Sequence, residues 1–150
     1  MNLNNKKFIV ASGPVIVENG KVLLDRHGEN ENAKKYWKFV GGRVEEVDLI
    51  RQDFALENAC LREVKEEMGI EIEILTSIKP MMIKHPDKKN TFVLLVHYLA
   101  KRMGEIKIGE DIEEWKWFSI DNLPENCAPN IKPVIDEYKR LIKDKIINLK

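Results

Sequence analysis

Glu63, Glu66 and Glu67 stand within the run Arg62-Glu63-Val64-Lys65-Glu66-Glu67-Met68-Gly69-Ile70. At about 100° per residue, a helix gathers these carboxylates into an arc of roughly 100°. Two of them lie beside the apolar line Leu56, Cys60, Val64 and Met68, which predicts a core-facing stripe. Carboxylates three and four apart repel one another by about 0.2–0.5 kcal/mol per pair. The nearby helix C-terminus disfavours negative charge as well. A cation among the three relieves both penalties, and hard oxygen donors suit Mg²⁺, with Mn²⁺ as a substitute. Taken alone, such a run is more often a solvated acidic face, so the surrounding pattern has to decide.

Upstream stands Gly41-Gly42, and six positions beyond Gly42 comes Asp48. Downstream, Gly69 is a good helix-terminating glycine, followed by an apolar run. Glycine, acidic residue, then Arg-Glu-apolar-x-Glu-Glu-x-Gly-apolar resembles the signature of the Nudix hydrolases. Its second half is matched at Arg62, Glu63, Val64, Glu66, Glu67, Gly69 and Ile70. The chain departs from the family pattern in one place. Thirteen residues, Leu49 to Leu61, separate Asp48 from Arg62 where the family has seven, an insertion of six at Leu49 to Phe54. The insertion should lengthen the loop before the helix, and it leaves the role of Asp48 open to Glu45 or Glu46.

The resemblance implies the Nudix fold, an α/β/α sandwich with a mixed β-sheet, a central catalytic helix and a C-terminal helix. It also implies cleavage of a pyrophosphate bond in a nucleoside diphosphate-linked substrate with divalent metal. Glu63, Glu66 and Glu67 would be metal ligands, directly or through water, with the Gly42 carbonyl as a further oxygen donor. Arg62 would pair with an acidic residue of the loop and hold the site's geometry. Glu113 and Glu114, just before the stretch Trp115-Lys116-Trp117-Phe118, are candidates for an additional ligand or general base; the alternative is a solvated acidic loop. The segment from Ala128 to Leu141 resembles the tail of bacterial Nudix enzymes that hydrolyse oxidised guanine nucleotides. Asn130 is therefore a candidate for reading a purine, displaced by one residue, or else a helix cap. Arg26 is a candidate phosphate contact.

Composition sets the outer limits. The 150 residues suffice for one domain with a real core, and 43% apolar with 33% charged residues is ordinary for a globular chain. With 25 basic and 25 acidic residues the formal net charge is zero, which implies no broad attraction to DNA or to a membrane surface. Two cysteines, Cys60 and Cys127, make no disulfide scaffold, and Cys60 lies on the apolar line of the helix. The opening residues lack the apolar segment of a secretory signal, so a cytoplasmic location is expected. No apolar run approaches the ~20 residues of a membrane-spanning helix.

The elements that must position these residues follow from period and punctuation. Phe8 to Val17 and Lys21 to Asp25 read as strands around Asn19-Gly20, a hairpin signal. Polar His27 to Lys35 reads as a loop, and Tyr36 to Val40 as a short strand. The helix runs from about Ala55 to Met68. Ile70 to Ile78 and Thr91 to Lys101 read as strands separated by a loop, Lys79 to Asn90, that contains Pro80 and Pro86. Met103-Gly104 reads as a turn and Glu113 to Ser119 as a further strand, with Trp115 and Trp117 on one face. Ile131, Val134, Ile135, Tyr138, Leu141, Ile142 and Ile146 recur at helical spacing.

Among substrates, a (deoxy)nucleoside triphosphate split into monophosphate and pyrophosphate is favoured. ADP-ribose, a nucleotide sugar or an RNA 5′ end are the alternatives within the enzyme class. A domain that binds nucleotide without cleaving it is the alternative outside it. The active species is expected to be a monomer or homodimer.

Overall fold

The structure is a computed structural model, and it describes residues 4–27 and 36–144. Seven strands form one mixed sheet: β1 (Lys7–Glu18), β2 (Lys21–Arg26), β3 (Lys38–Phe39), β4 (Gly42–Arg43), β5 (Glu71–Lys84), β6 (Thr91–Met103) and β7 (Glu114–Ser119). The main path runs β3-β2-β1-β6-β5, with β4 also on β1 and β7 also on β2. Strand β1 is the seam of the sheet. It pairs antiparallel with β2 through the Asn19-Gly20 turn and parallel with β6 from Lys7↔Thr91 to Ile16↔Ala100. Both turn residues take positive φ (51° and 74°), the geometry that matches a two-residue hairpin to strand twist.

Helices α1 (Ala55–Met68) and α2 (Ile131–Lys143) cover opposite faces of this sheet. The period of two in the strands sorts the apolar residues between them. Val15, Val22 and Leu24 pack with Ile131, Val134, Ile135, Tyr138 and Leu141 of α2. Their immediate neighbours Ile16 and Leu23 pack with Cys60, Val64 and Met68 of α1. The result is the α/β/α sandwich that the pattern implied. Trp115 and Trp117 pack on the α1 side, as core-supporting side chains. Ile146, the last position of the helical pattern, and residues 28–35 of the expected loop lie outside the described residues.

Three expectations change. The strand expected over Tyr36 to Val40 is only Lys38–Phe39, because Trp37 bridges instead to Cys127. The insertion is not open loop: Glu46–Phe54 winds into 3₁₀ turns, kinked at Arg51, and leads directly into α1. The loop expected over Lys79 to Asn90 shrinks to residues 85–90, because β5 continues through Pro80 to Lys84. Proline is tolerated there for two reasons. The register with β6 slips between Ile78 and Met81, and β5 is a sheet edge whose outer backbone groups need no partner.

Candidate active site

The C-terminal half of α1 presents its glutamates to two backbone turns. One is Gly41-Gly42, where the chain enters β4. The other is the loop of residues 104–113, which is tied to the helix end: Lys107 N–H donates to the Met68 carbonyl (2.8 Å) and Gly109 N–H to the Glu67 carbonyl (2.9 Å). These bonds satisfy carbonyls that the helix leaves open at its end. Gly69 closes the helix in the left-handed region (φ 66°), its N–H bonded to the Lys65 carbonyl. A pocket forms between these parts, lined by Glu63, Glu66, Glu67 and Gly42 on one side and Glu110 and Asp111 on the other.

Gly42 is required by close approach rather than by its own dihedrals. A Cβ at this position would stand 2.6 Å from the carboxylate atoms of Glu63. Gly42→Ala should therefore swing Glu63 aside, since its flexible end yields more easily than backbone. The expected result is a fall in kcat of about tenfold or more with a melting temperature close to that of the parent, read by kinetics beside thermal melts. An unchanged kcat would show that Glu63 has no need of this position.

Arg62 is the hub of the helix's acidic face. Nε and Nη2 reach the two oxygens of Asp48 at 2.9 Å each, Nη1 reaches Glu63 (3.0 Å) and Glu66 (3.2 Å), and Nη2 also donates to the Arg43 carbonyl. Asp48, buried at 3% exposure, is thus the acidic partner of Arg62 despite the insertion that follows it. Glu45 stands farther off, at 3.8 Å, and serves instead in a reciprocal capping box with Asp48. The hydrogen bonds from Arg62 hold the Asp48 carboxyl below the usual range, and they raise the already high pKa of the guanidinium. Burial pushes Glu63 up, opposed by Arg62.

A second group of ionisable residues was not read from the sequence. Asp25, at the end of β2, is fully buried, and Glu67 (7% exposed) and His27 stand beside it. Burial, with repulsion from Asp25, pushes the Glu67 carboxyl far up, although the Gly41 N–H bonded to it at 3.1 Å pulls the other way. Burial likewise raises Asp25 and depresses His27 to about 4. Lys38 is lowered by burial and held up in part by those two carboxyls. In the sequence, Asp25 only ends an apolar strand and His27 opens a polar loop. Neither shares a local spacing with Glu67, so no short motif marks them.

The remaining candidates are dispersed. The β2–β7 register sets Glu114 opposite Arg26, and the two form an ion pair at 3.4 Å, with Arg26 also over the Trp37 ring (4.9 Å). Glu113 is exposed and its N–H bonds the Arg26 carbonyl. The structure thus brings Glu110 and Asp111 to the pocket, and not Glu113 and Glu114. Asn130 occupies the N-cap position of α2, but its side chain makes no cap bond. Its amide donates to His97 Nε2 at 3.2 Å inside the protein. Burial depresses His97 to about 4, so the ring is neutral. Both residues line a mostly apolar cleft with Lys38, Phe39 and Leu95, and that cleft shares Gly41 and Gly42 with the acidic pocket.

The donor set fits a divalent metal: several carboxylates converge, and the oxygens of buried Asp25 find no donor among the described residues. The family model described as NUDIX domain matches residues 7–138. The chain is 28% identical over 131 residues to an ADP-ribose pyrophosphatase of Methanocaldococcus jannaschii, covering 87% of this chain and 73% of that one. It is 26% identical over 137 residues to an 8-oxo-dGTP diphosphatase of Escherichia coli, covering 91% and 99%. The crystal structure of a MutT NUDIX hydrolase from Burkholderia pseudomallei superposes with a TM-score of 0.73 at 25% identity, covering 88% and 98%. With its signature glutamates Glu63, Glu66 and Glu67 gathered at one pocket and the domain match spanning most of its length, the chain belongs to the Nudix family of pyrophosphohydrolases.

Proposed function

We propose that the chain hydrolyses a (deoxy)nucleoside triphosphate to the monophosphate and pyrophosphate, with Mg²⁺ bound by Glu63, Glu66, Glu67 and the Gly42 carbonyl. The observation that carries this reading is the shared glycine wall. An apolar cleft with two polar groups, Asn130 and His97, abuts an acidic pocket at Gly41-Gly42. A nucleobase suits the first and a metal-bound polyphosphate the second, and a nucleotide spans from one to the other. Bound divalent metal supplies charge neutralisation for the phosphates and lowers the pKa of an attacking water. The chain's own residues do the rest. Arg62 fixes the positions of Glu63 and Glu66, the Gly41 N–H orients Glu67, and Glu110 and Asp111 take the place expected of Glu113 and Glu114 on the facing wall.

The test is Mg²⁺-dependent hydrolysis over a product-resolved panel of canonical and 8-oxo nucleoside triphosphates, ADP-ribose, nucleotide sugars and 5′-triphosphorylated RNA. Monophosphate plus pyrophosphate from a triphosphate supports the reading. Cleavage confined to ADP-ribose, the substrate named for the M. jannaschii relative, replaces it. Binding without turnover across the panel replaces it with a sensor.

The base cleft yields its own expectation. Asn130→Ala leaves one wall without its amide and His97 without its partner. KM for the preferred nucleotide should rise about tenfold, equal to roughly 1.4 kcal/mol of binding, with kcat little changed. An equal rise for nucleotides of every base would assign Asn130 to structure rather than to base reading.

A further inference from the structure

We propose that Asp25 and His27 join Glu67 to form a mixed nitrogen–oxygen position for a divalent cation, one that favours a first-row transition metal over Mg²⁺. The proposal deepens the proposed function and rests on its reading of Glu67 as a metal ligand, but it adds two residues outside the glutamate run.

The geometry comes first. His27 Nε2 stands 3.2 Å from Glu67 Oε1 and 3.7 Å from Asp25 Oδ1, and one ligand atom from each of the three lies within 4.8 Å of the others. Two donors about 2.1 Å from one ion, at right angles to it, stand about 3.0 Å apart. The wider angles of a tetrahedral or distorted site give larger separations. Both His27 spacings lie between the right-angle value and the limit of about 4.2 Å for donors on opposite sides of one ion, so His27 Nε2 can share a centre with either carboxylate.

Burial is the independent observation. Asp25 is 0% exposed, and among the described residues neither its carboxylate oxygens nor the buried His27 Nε2 has a hydrogen-bond partner of good geometry. Lys38 is close enough to act on both carboxyls by charge, yet it makes no hydrogen bond with either among the described residues. Buried polar atoms of native proteins are nearly always paired; here the Asp25 carboxyl faces the Glu67 carboxyl and His27 Nε2, and without a cation only a proton shared between the carboxyls bridges them. Glu67 Oε2 is already engaged by the Gly41 N–H, which leaves Oε1 turned toward His27. A cation bonded to Asp25, His27 and Glu67 Oε1 satisfies every one of these atoms.

The ligand chemistry sets the preference. Carboxylate oxygens alone suit Mg²⁺ and Mn²⁺, whereas an imidazole nitrogen shifts selectivity toward the later first-row metals, Co²⁺ and Zn²⁺ among them.

The experiment measures cation binding by the nucleotide-free protein. Mn²⁺, Co²⁺ and Mg²⁺ are titrated calorimetrically into the parent chain and into Asp25→Asn, His27→Gln and Glu66→Gln. Pulsed electron paramagnetic resonance of the Mn²⁺-loaded proteins reads ¹⁴N modulation from a bound imidazole. The parent is expected to bind Co²⁺ at least about tenfold more tightly than Mg²⁺ and to show the ¹⁴N signal. His27→Gln should lose both the signal and the preference while retaining Mg²⁺ binding. Asp25→Asn should weaken all three metals, and circular dichroism confirms that it folds. Parent protein that binds Mn²⁺ without ¹⁴N modulation, with His27→Gln unchanged, overturns this site. If Glu66→Gln alone weakens binding in that case, the reading of the glutamate pocket survives the loss. Parent protein that binds none of the three metals overturns both.

Discussion

Glu67→Gln is expected to lower kcat by about 10²- to 10³-fold and, in chelator, to raise the melting temperature of the same protein. The two effects have one origin. Glu67 is buried against Asp25, and burial first, then mutual repulsion, pushes its carboxyl above the ordinary range. An uncompensated charge there is a liability to the fold, tolerated for the sake of a bound cation. Glutamine keeps the acceptor for the Gly41 N–H and removes the charge. The sign of the pH dependence follows. Asp25 and Glu67 both have folded-state pKa values above those of the unfolded chain, near 4. Their stabilising protons are fully in place below that value, and the stability is lost as pH rises toward the folded values. Below about pH 6.5 the neutral His27 and His97 pull the other way, so melts of the metal-free parent should decline with pH over roughly pH 7 to 9, and those of Glu67→Gln should decline less. Identical melting curves for the two proteins would mean that no strained charge sits at Glu67.

Arg62→Ala should do damage in the opposite currency, to stability first. Its removal strands Asp48, buried at 3% exposure, without its bidentate partner, and leaves Glu63 and Glu66 with no cation between them. Breaking a buried ion pair from one side costs about 3–5 kcal/mol. Arg62 retains some exposure, so the lower end of about 3 kcal/mol applies, equivalent to roughly 6–12 °C for a chain of this size. Arg62→Lys supplies one charge but no planar fork, and should recover only part of the loss. Because Arg62 lowers the Asp48 pKa, this stability is complete above the ordinary aspartate value of about 3.9 and disappears as pH falls through the folded value. Denaturant titrations near neutrality and in acid would show the parent and Arg62→Ala converging as Asp48 is protonated. A constant gap at every pH would remove Asp48 from the account.

How much of this was legible in the chain depends on how local each signal is. The helix Ala55–Met68 could be read to the residue, because periodicity, the Gly69 terminator and the glutamate spacing all lie within one continuous run. The two-sided core was legible for a similar reason, since alternation in Val15-Ile16 and Val22-Leu23-Leu24 assigns neighbours to opposite helices. The Arg62–Asp48 pair was half legible: the need for an acid was clear, but not that the inserted residues would coil into 3₁₀ turns and return Asp48 to the guanidinium. Asp25 and His27 were invisible, because Glu67 meets them only through the pairing of the sheet and the packing of α1 upon it. The acidic wall was displaced by three residues. Gly109, bonded to the end of α1, turns the chain so that Glu110 and Asp111 face inward, while Glu113 and Glu114 run on toward β7.

Pro80 has a consequence beyond the shape of its strand. Strand β5 is long and lies at the rim of the sheet, with Met82 half exposed along it. An uninterrupted rim of this kind is a template on which a second molecule can add a strand, the first step toward aggregates. Pro80 withdraws one donor from that rim, the slipped register twists the backbone next to it, and exposed Lys79 and Lys84 place charge on either side. The residue that makes this stretch look like a loop thus interrupts the open rim of a strand of fourteen residues.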